Sequence, residues 1–316
     1  MMQVHRNLAA LPAFRNAIIT IGTFDGVHIG HQQIINQLKE TAAEAGGETV
    51  IITFHPHPRA IVGTQTGQVL LLNTLDEKIM LLEKAGINHL VVVPFDTQFA
   101  NQTAEEYCKS FLYHYFKPHT VIIGYDHRFG KGRSGDYHLL ESMGASLGFA
   151  VKEIDEQVLN AVAVSSTKIR TALNEHDIAT ANQFLGYPYF FEGTVIQGNQ
   201  LGRTIGYPTA NLQISQEDKL VPANGVYAVS VKLSEAQPIV WGMMNIGIRP
   251  TINGTKQVIE VHIFDFSGDI YGQTIQVGIY AFLREEVKFT GLDALIAQLG
   301  VDAVKAKEVL HPSRYL

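Results

Sequence analysis

The chain has 316 residues, 46% hydrophobic and 17% charged, which predicts globular folding with sizeable cores and a prior of two domains. Twenty-four Lys and Arg against 30 Asp and Glu leave a net charge of -6, so bulk charge points away from a nucleic-acid surface. One cysteine, Cys108, excludes an internal disulfide framework and a multi-cysteine zinc site, and permits a reducing cytoplasm.

No apolar run reaches the ~20 residues of a membrane span. The start, "MMQVHRNLAALPAF", is broken by His5, Arg6, Asn7 and Pro12 and does not read as a signal peptide, so the default location is the cytoplasm. The first half then alternates. Strands are predicted over 17–22, 48–54, 89–95, 120–126 and 150–157, and helices over 31–46, 74–86, 103–116 and 137–148. Thr74 with Glu77 and Thr103 with Glu106 have capping-box spacing. Short apolar strands separated by helices predict a parallel sheet covered on both faces.

The pattern changes near "FLGYPYFF" (184–191). Strands follow in "FFEGTVIQ", "GVYAVSVKL", "IVWGMMNIG", "VIEVHIFDF" and "TIQVGIYAFL", then one helix over 291–310. Consecutive strands with turns between them predict an antiparallel barrel or sandwich closed by a C-terminal helix. The domain boundary is placed between 185 and 186, giving domains 1–185 and 186–316.

In an open α/β sheet, ligands bind beyond the carboxyl ends of the strands. "GTFDGVHIGHQ" (22–32) leaves the first strand there and enters the first helix. Glycines let backbone approach a phosphate, and a helix start offers free N–H groups to an anion. His28 and His31 lie one turn apart and can donate hydrogen bonds to phosphate oxygens. A glycine turn with solvent-facing histidines is the plainer reading, and His-x-x-His lacks further zinc ligands at short spacing. Three more loops reach the same edge. "TFHPHP" (53–58) offers Phe54, Pro56 and Pro58 as an apolar wall for a flat ring. "GYDHRFGKGRSGD" (124–136) sets Arg128, Lys131 and Arg133 among glycines. "VSSTKIR" (164–170) places Ser165, Ser166 and Thr167 at a helix start ahead of Lys168 and Arg170. Four such loops after four strands are harder to attribute to chance than any one of them.

"GTFDGVHIGHQ" resembles the signature of the nucleotidylyltransferase superfamily. With the other three stretches in this order, the first half resembles the adenylyltransferase half of the bacterial bifunctional riboflavin kinase/FAD synthetases. The resemblance implies a Rossmann-like domain in which His28 and His31, with Gly22, Phe24, Asp25, Gly26 and Gly30 of the same motif, meet the phosphates of ATP. It implies that Ser165, Ser166, Thr167 and Arg170 complete the nucleotide site, Arg170 acting with the two histidines. Asp126 and Arg128 would lie near it, and Phe54, Pro56 and Pro58 on the flavin side.

In the second half, "GRTIGYPTANL" (202–212) carries Thr209 and Asn211, whose hydroxyl and amide oxygens suit hydrated Mg²⁺. By pattern alone this is a turn between strands. "VIEVHIFDF" alternates, so Glu260, His262 and Phe264 share one strand face. Facing a pocket, Glu260 could take a proton from a substrate hydroxyl; facing water, it is only a solvated residue. Arg284 in "FLREE" could bind phosphate or pair with Glu285 or Glu286.

These stretches, with "NGVYAV" and "NIGIRPT", resemble a riboflavin kinase domain, a six-stranded antiparallel barrel. The resemblance implies that Thr209 and Asn211 hold Mg²⁺ and ATP phosphates and that Glu260 is the general base. Arg203, Gly206, Pro208 and Arg284 fall in the matching nucleotide- and flavin-binding stretches. The expected activities are riboflavin phosphorylation by ATP to FMN, then adenylylation of FMN to FAD with release of pyrophosphate. The expected partners are these small molecules, without nucleic acid or membrane, and self-association is left open. Two rivals are weaker: nucleotidyl transfer to another acceptor, against which the Pro-Thr-Ala-Asn stretch argues, and a flavin-binding or regulatory protein with decayed sites.

Overall fold

A computed structural model of the chain describes residues 1–62, 69–154, 164–198, 200–234, 236–251 and 254–310. Two compact units emerge, Met1–Ser166 and Thr167–Leu316.

The first unit is built on six strands: β1 (Gln3–His5), β2 (Ile18–Ile21), β3 (Thr49–His55), β4 (His89–Pro94), β5 (Thr120–Gly124) and β6 (Ala150–Ile154). They lie in the order β1-β4-β3-β2-β5-β6 with every neighbouring pair parallel. The sheet is buried on both faces. Ile19 and Ile21 of β2 enter one core with Val50, Ile52, Val91 and Val121, under Tyr107, Phe111 and Leu140. Ile18 enters the other with Ile51, Leu90 and Ile122, under Ile35 and Leu38 of the helix Ile29–Ala45 and Leu82 of the helix Leu75–Lys84. Two-sided burial is why the strands read as near-continuous apolar runs. Because β2 is flanked by β3 on one side and β5 on the other, the strand order reverses beside it, the place where open α/β sheets bind ligands beyond the strand ends.

Both predicted capping boxes form, at Thr74 with Glu77 and at Thr103 with Glu106. Between Tyr107 and Tyr113 the predicted third helix widens to π geometry, which lines up the buried Tyr107, Phe111 and Phe116 over the sheet. The edge strand β1 has no counterpart in the sequence prediction. Three residues carry too little pattern, and their strand character comes from pairing with β4. The last residues of the predicted strand 150–157 lie outside the described residues.

The second unit opens with the helices Ser166–Asn174 and Ile178–Leu185 and continues into a closed antiparallel barrel. Its strands are β7 (Phe190–Ile196), β8 (Ala210–Gln213), β9 (Gly225–Lys232), β10 (Val240–Thr251), β11 (Gly254–Ile263) and β12 (Thr274–Arg284), in the order β10-β11-β8-β7-β12-β9. Five of the six strands are visible as alternating runs. The sixth, β8, is the segment pattern alone assigned to a turn: four residues are too few for an alternation to show. The helix Leu292–Val309 covers part of the barrel's outer face, with Ala306 and Leu310 packed on Ala228 and Met243.

Candidate functional sites

The first site forms where β2 ends. Phe24, Gly26 and Val27 all take positive φ, so the chain turns tightly before the helix Ile29–Ala45 begins. His28 is the N-cap of that helix: its Nδ1 accepts the His31 N–H at 3.3 Å. An imidazole thus does the work usually given to Ser or Asp. Since this Nδ1 is an acceptor, the proton of the neutral ring sits on Nε2. The His28 and His31 rings stack with centroids 3.7 Å apart and planes 17° from parallel. Burial pushes His28 down to about 4, against the opposing pull of the Asp25 carboxylate. His31 lies well below 6.5, through burial and then the neighbouring His28 and Lys78. At neutral pH the pair therefore consists of N–H donors and not of cations. The buried Nδ1 of His31 has no hydrogen-bond partner among the described residues.

Asp25, only 2% exposed, accepts the Leu72 and Asn73 N–H groups at 2.9 and 3.3 Å and so fastens the turn to the segment before the helix Leu75–Lys84. Thr53 Oγ1 donates to the Thr23 carbonyl at 3.2 Å, and Ser166 Oγ to the Asp25 carbonyl at 2.9 Å. Three of the four sequence stretches are tied together by these bonds. The fourth shares none of these bonds among the described residues: Asp126 and Arg128 are exposed on the loop after β5. Phe54 packs edge-on against Phe95 at 5.4 Å and beside Phe99 at 5.5 Å; Pro56 is exposed, and Pro58 opens the short helix Pro58–Val62. Thr167 and Arg170 lie on the helix Ser166–Asn174 within the second unit.

Lys78 was missed in the sequence. It is 7% exposed, with Nζ 3.5 Å from Thr53 Oγ1 and its pKa lowered by burial to about 8. The signal was present: Lys78 interrupts the apolar stripe of Leu75, Ile79 and Leu82.

The second site lies on the barrel. Asn211, Glu260 and Asn245 are directly opposite one another on β8, β11 and β10, so their side chains form one row across three strands. Asn211 is 9% exposed and lies so close to Gly198 that a Cβ there would overlap its amide. Glu260 and His262 line a cavity of about 260 Å³ between this face and the helix Leu292–Val309, as alternation predicted if the face were covered. Glu260 Oε1 accepts from Arg249 Nη2 at 2.9 Å. The His262 ring, 5.3 Å from the Tyr207 ring, bonds the Pro208 carbonyl through Nδ1 at 2.8 Å. A second cavity of about 520 Å³ is lined by Arg203, Pro208 and the apolar Val195, Val261, Ile263 and Phe266. Thr209 contributes to the walls of both cavities. Gly206, at φ 84°, turns the chain just before it. Arg284 also borders the smaller cavity, but its partner is neither predicted glutamate side chain. It grips the fully buried Asp302 through Nε and Nη2, at 2.7 Å for the latter, while Nη1 reaches the Glu285 carbonyl.

Thr209 and Asn211 offer a hydroxyl and an amide oxygen, hard donors of the type Mg²⁺ takes alongside water and phosphate. Glu260 stands in the same row as Asn211, and the donor set fits the ion. Among the described residues no group of three or more His, Cys, Asp or Glu could hold a metal by itself.

Comparison with known proteins gives a separate family match for each half of the chain. A FAD synthetase family model matches residues 11–168, and a riboflavin kinase model matches residues 185–310. A bifunctional riboflavin kinase/FMN adenylyltransferase of Haemophilus influenzae is 39% identical over 97% of this chain and 98% of its own. That of Escherichia coli K12 is 36% identical over 96% and 95%. A solved structure from Streptococcus pneumoniae, described as a macrolide-efflux protein, superposes with a TM-score of 0.84 at 29% identity over 95% of this chain and 97% of that one. Among the described residues no helix is long and apolar enough to cross a membrane.

Proposed function

The chain belongs to the family of bifunctional riboflavin kinase/FMN adenylyltransferases, and from that premise we propose which residues carry each of its two reactions. Riboflavin, FMN, FAD and ATP are the substrates and products. Residues 1–185 are assigned to adenylyl transfer and 186–316 to phosphorylation, in the cytoplasm.

In the kinase reaction, riboflavin occupies the smaller cavity beside Glu260 and ATP the larger one, whose apolar wall suits a purine ring. The location of Thr209 in the walls of both carries this reading, because the phosphoryl group must pass from one ligand to the other. Glu260 accepts the proton of the 5′-hydroxyl as its oxygen bonds the γ-phosphorus and ADP leaves. Arg249 holds the Glu260 carboxylate in place, and Arg203 faces the polyphosphate. Thr209 and Asn211 would hold Mg²⁺, which when bound neutralises phosphate charge.

In the adenylyl-transfer reaction, a terminal oxygen of FMN attacks the α-phosphorus of ATP and pyrophosphate departs. The FMN phosphate is already ionised near neutral pH, so the site needs positioning and charge stabilisation more than a base. His28 Nε2–H and the His31 ring donate to phosphate oxygens, and the helix start beneath them adds its N–H groups. On the family resemblance Ser165, Ser166, Thr167 and Arg170 are assigned to the nucleotide, and with them Asp126 and Arg128 of the exposed loop after β5. Phe54, Pro56 and Pro58 border the flavin.

Incubation with riboflavin, ATP and Mg²⁺, followed by separation of flavins, tests the reading directly. FMN and then FAD are expected; a reaction yielding neither overturns it.

A further inference from the structure

The kinase site contains a histidine that the proposed reaction leaves unused. His262 follows Glu260 by two residues on β11, so both side chains stand on one strand face, and both line the smaller cavity. Its Nδ1 lies 2.8 Å from the Pro208 carbonyl oxygen. A carbonyl can only accept, so Nδ1 carries a proton and donates it. The ring packs edge-on against Tyr207 and Phe264, with centroids at 5.3 and 5.7 Å. The segment it holds closes on itself: the Ile205 and Tyr207 N–H groups both bond the Gly202 carbonyl, at 3.3 and 2.8 Å. The ladder between β8 and β11 begins at Ala210, opposite Val261. Thr209, which borders both cavities, therefore lies between a self-closed loop and the start of a strand. Its nitrogen belongs to the same peptide plane as the Pro208 carbonyl. Whatever fixes that oxygen fixes the plane from which Thr209 projects.

We propose that His262 is a positioning residue for phosphoryl transfer: by donating to the Pro208 carbonyl it sets Thr209 at the junction of the two cavities, toward the phosphates of ATP. The inference rests on the assignment of Thr209 to the phosphates and of Glu260 to the riboflavin hydroxyl. Because Glu260 and His262 share β11, the bond ties the group that takes the proton and the residue that meets the phosphates to a single strand. In-line transfer depends on placement, and a displacement of about 1 Å can cost about a hundredfold in rate.

His262→Phe keeps a ring and removes the donor. His262→Asn removes the ring and keeps an N–H donor at the position of Nδ1. In FMN formation His262→Phe should raise KM for ATP by at least about tenfold and leave KM for riboflavin within about twofold. His262→Asn should recover most of the loss, and both variants should convert supplied FMN to FAD as the wild type does. A second readout does not depend on turnover. The backbone amide NMR signal of Thr209 should shift on adding Mg²⁺ and ADP to the wild type and to His262→Asn, and stay in place in His262→Phe. An unchanged KM for ATP overturns the proposal, as does a Thr209 signal that shifts alike in all three proteins. An equal rise in KM for riboflavin also overturns it, making the ring a riboflavin contact; equal damage in both variants does so by making ring packing the cause. If Thr209→Val leaves KM for ATP unchanged, the assignment of Thr209 fails first. If His262→Phe does not fold, His262→Gln takes its place, with its amide nitrogen one bond further out. A KM for ATP as low as that of His262→Asn then overturns the proposal.

Discussion

Arg249 and Glu260 form an ion pair across the barrel surface, Nη2 to Oε1 at 2.9 Å, inside the cavity assigned to riboflavin. The pair engages one carboxylate oxygen of Glu260 and fixes its direction. Arg249 itself is 45% exposed, so the pair's worth to folding is at most about 1 kcal/mol. Its value lies in aiming the carboxylate. Arg249→Met should leave the melting temperature nearly unchanged while lowering kcat for FMN formation by about tenfold. An unchanged kcat would remove Arg249 from the kinase reaction.

Glu260→Gln keeps the shape of the carboxylate and removes its basicity. FMN formation should fall by two or more orders of magnitude, about the range of a lost general base. Supplied FMN should still become FAD at the wild-type rate. Flavin separation after single-substrate incubations reads both.

His28→Ala should show the opposite split. It removes the N-cap acceptor of the helix Ile29–Ala45 and a donor to phosphate at once. The cap alone costs about 1 kcal/mol. Loss of FAD formation with riboflavin phosphorylation intact is expected; loss of the same step as in Glu260→Gln would refute the division of labour.

The buried histidines make the first unit sensitive to acid. His28 is lowered from 6.5 to about 4 on folding, and His31 moves the same way. Between those values the unfolded chain binds more protons than the folded one, so stability rises with pH. Stability should therefore be full above about pH 6.5 and fall as pH drops toward 4, His28 alone contributing on the order of a few kcal/mol and His31 acting in the same direction. Urea denaturation of wild type and His28→Gln from pH 7 to 5 checks this. The variant should show the shallower pH dependence.

Asp302 is fully buried and receives both Arg284 and the Gln298 amide at 2.9 Å. Removing it strands the Arg284 guanidinium, which is only 18% exposed. Asp302→Ala should destabilise the second unit by about 3 kcal/mol. Calorimetry should show its transition moving down while that of the first unit stays in place.

What the sequence revealed and what it hid follow a physical rule. The placement of "GTFDGVHIGHQ" at the edge of the sheet was legible because an apolar run, a glycine turn and a helix succeed one another within a dozen residues. The shared face of Glu260 and His262 was legible because strand side chains alternate. Arg249 and Asp302 were not, since each partnership joins elements brought together only by the barrel and its covering helix. The strands β1 and β8 were hidden by their shortness. Lys78 left a visible irregularity in a helical stripe, yet only the fold reveals that its ammonium is buried against the Thr53 hydroxyl.

The division between the units falls after Ser166, the first residue of a helix that ends at Asn174. Beyond it, His176 stacks on Phe282 at 4.0 Å and bonds the Asn224 carbonyl, and Asn182 bonds the Ile279 carbonyl and the Tyr189 N–H. Residues 167–185 thus lean on the barrel, although in sequence they precede it. A protein engineer who severs the chain at 185 to obtain a free-standing adenylyltransferase would leave two helices with their apolar sides, Ile169, Leu173, Ile178 and Leu185, bare of those neighbours. The excised piece should self-associate, whereas a barrel fragment begun at 167 would take its own scaffolding with it.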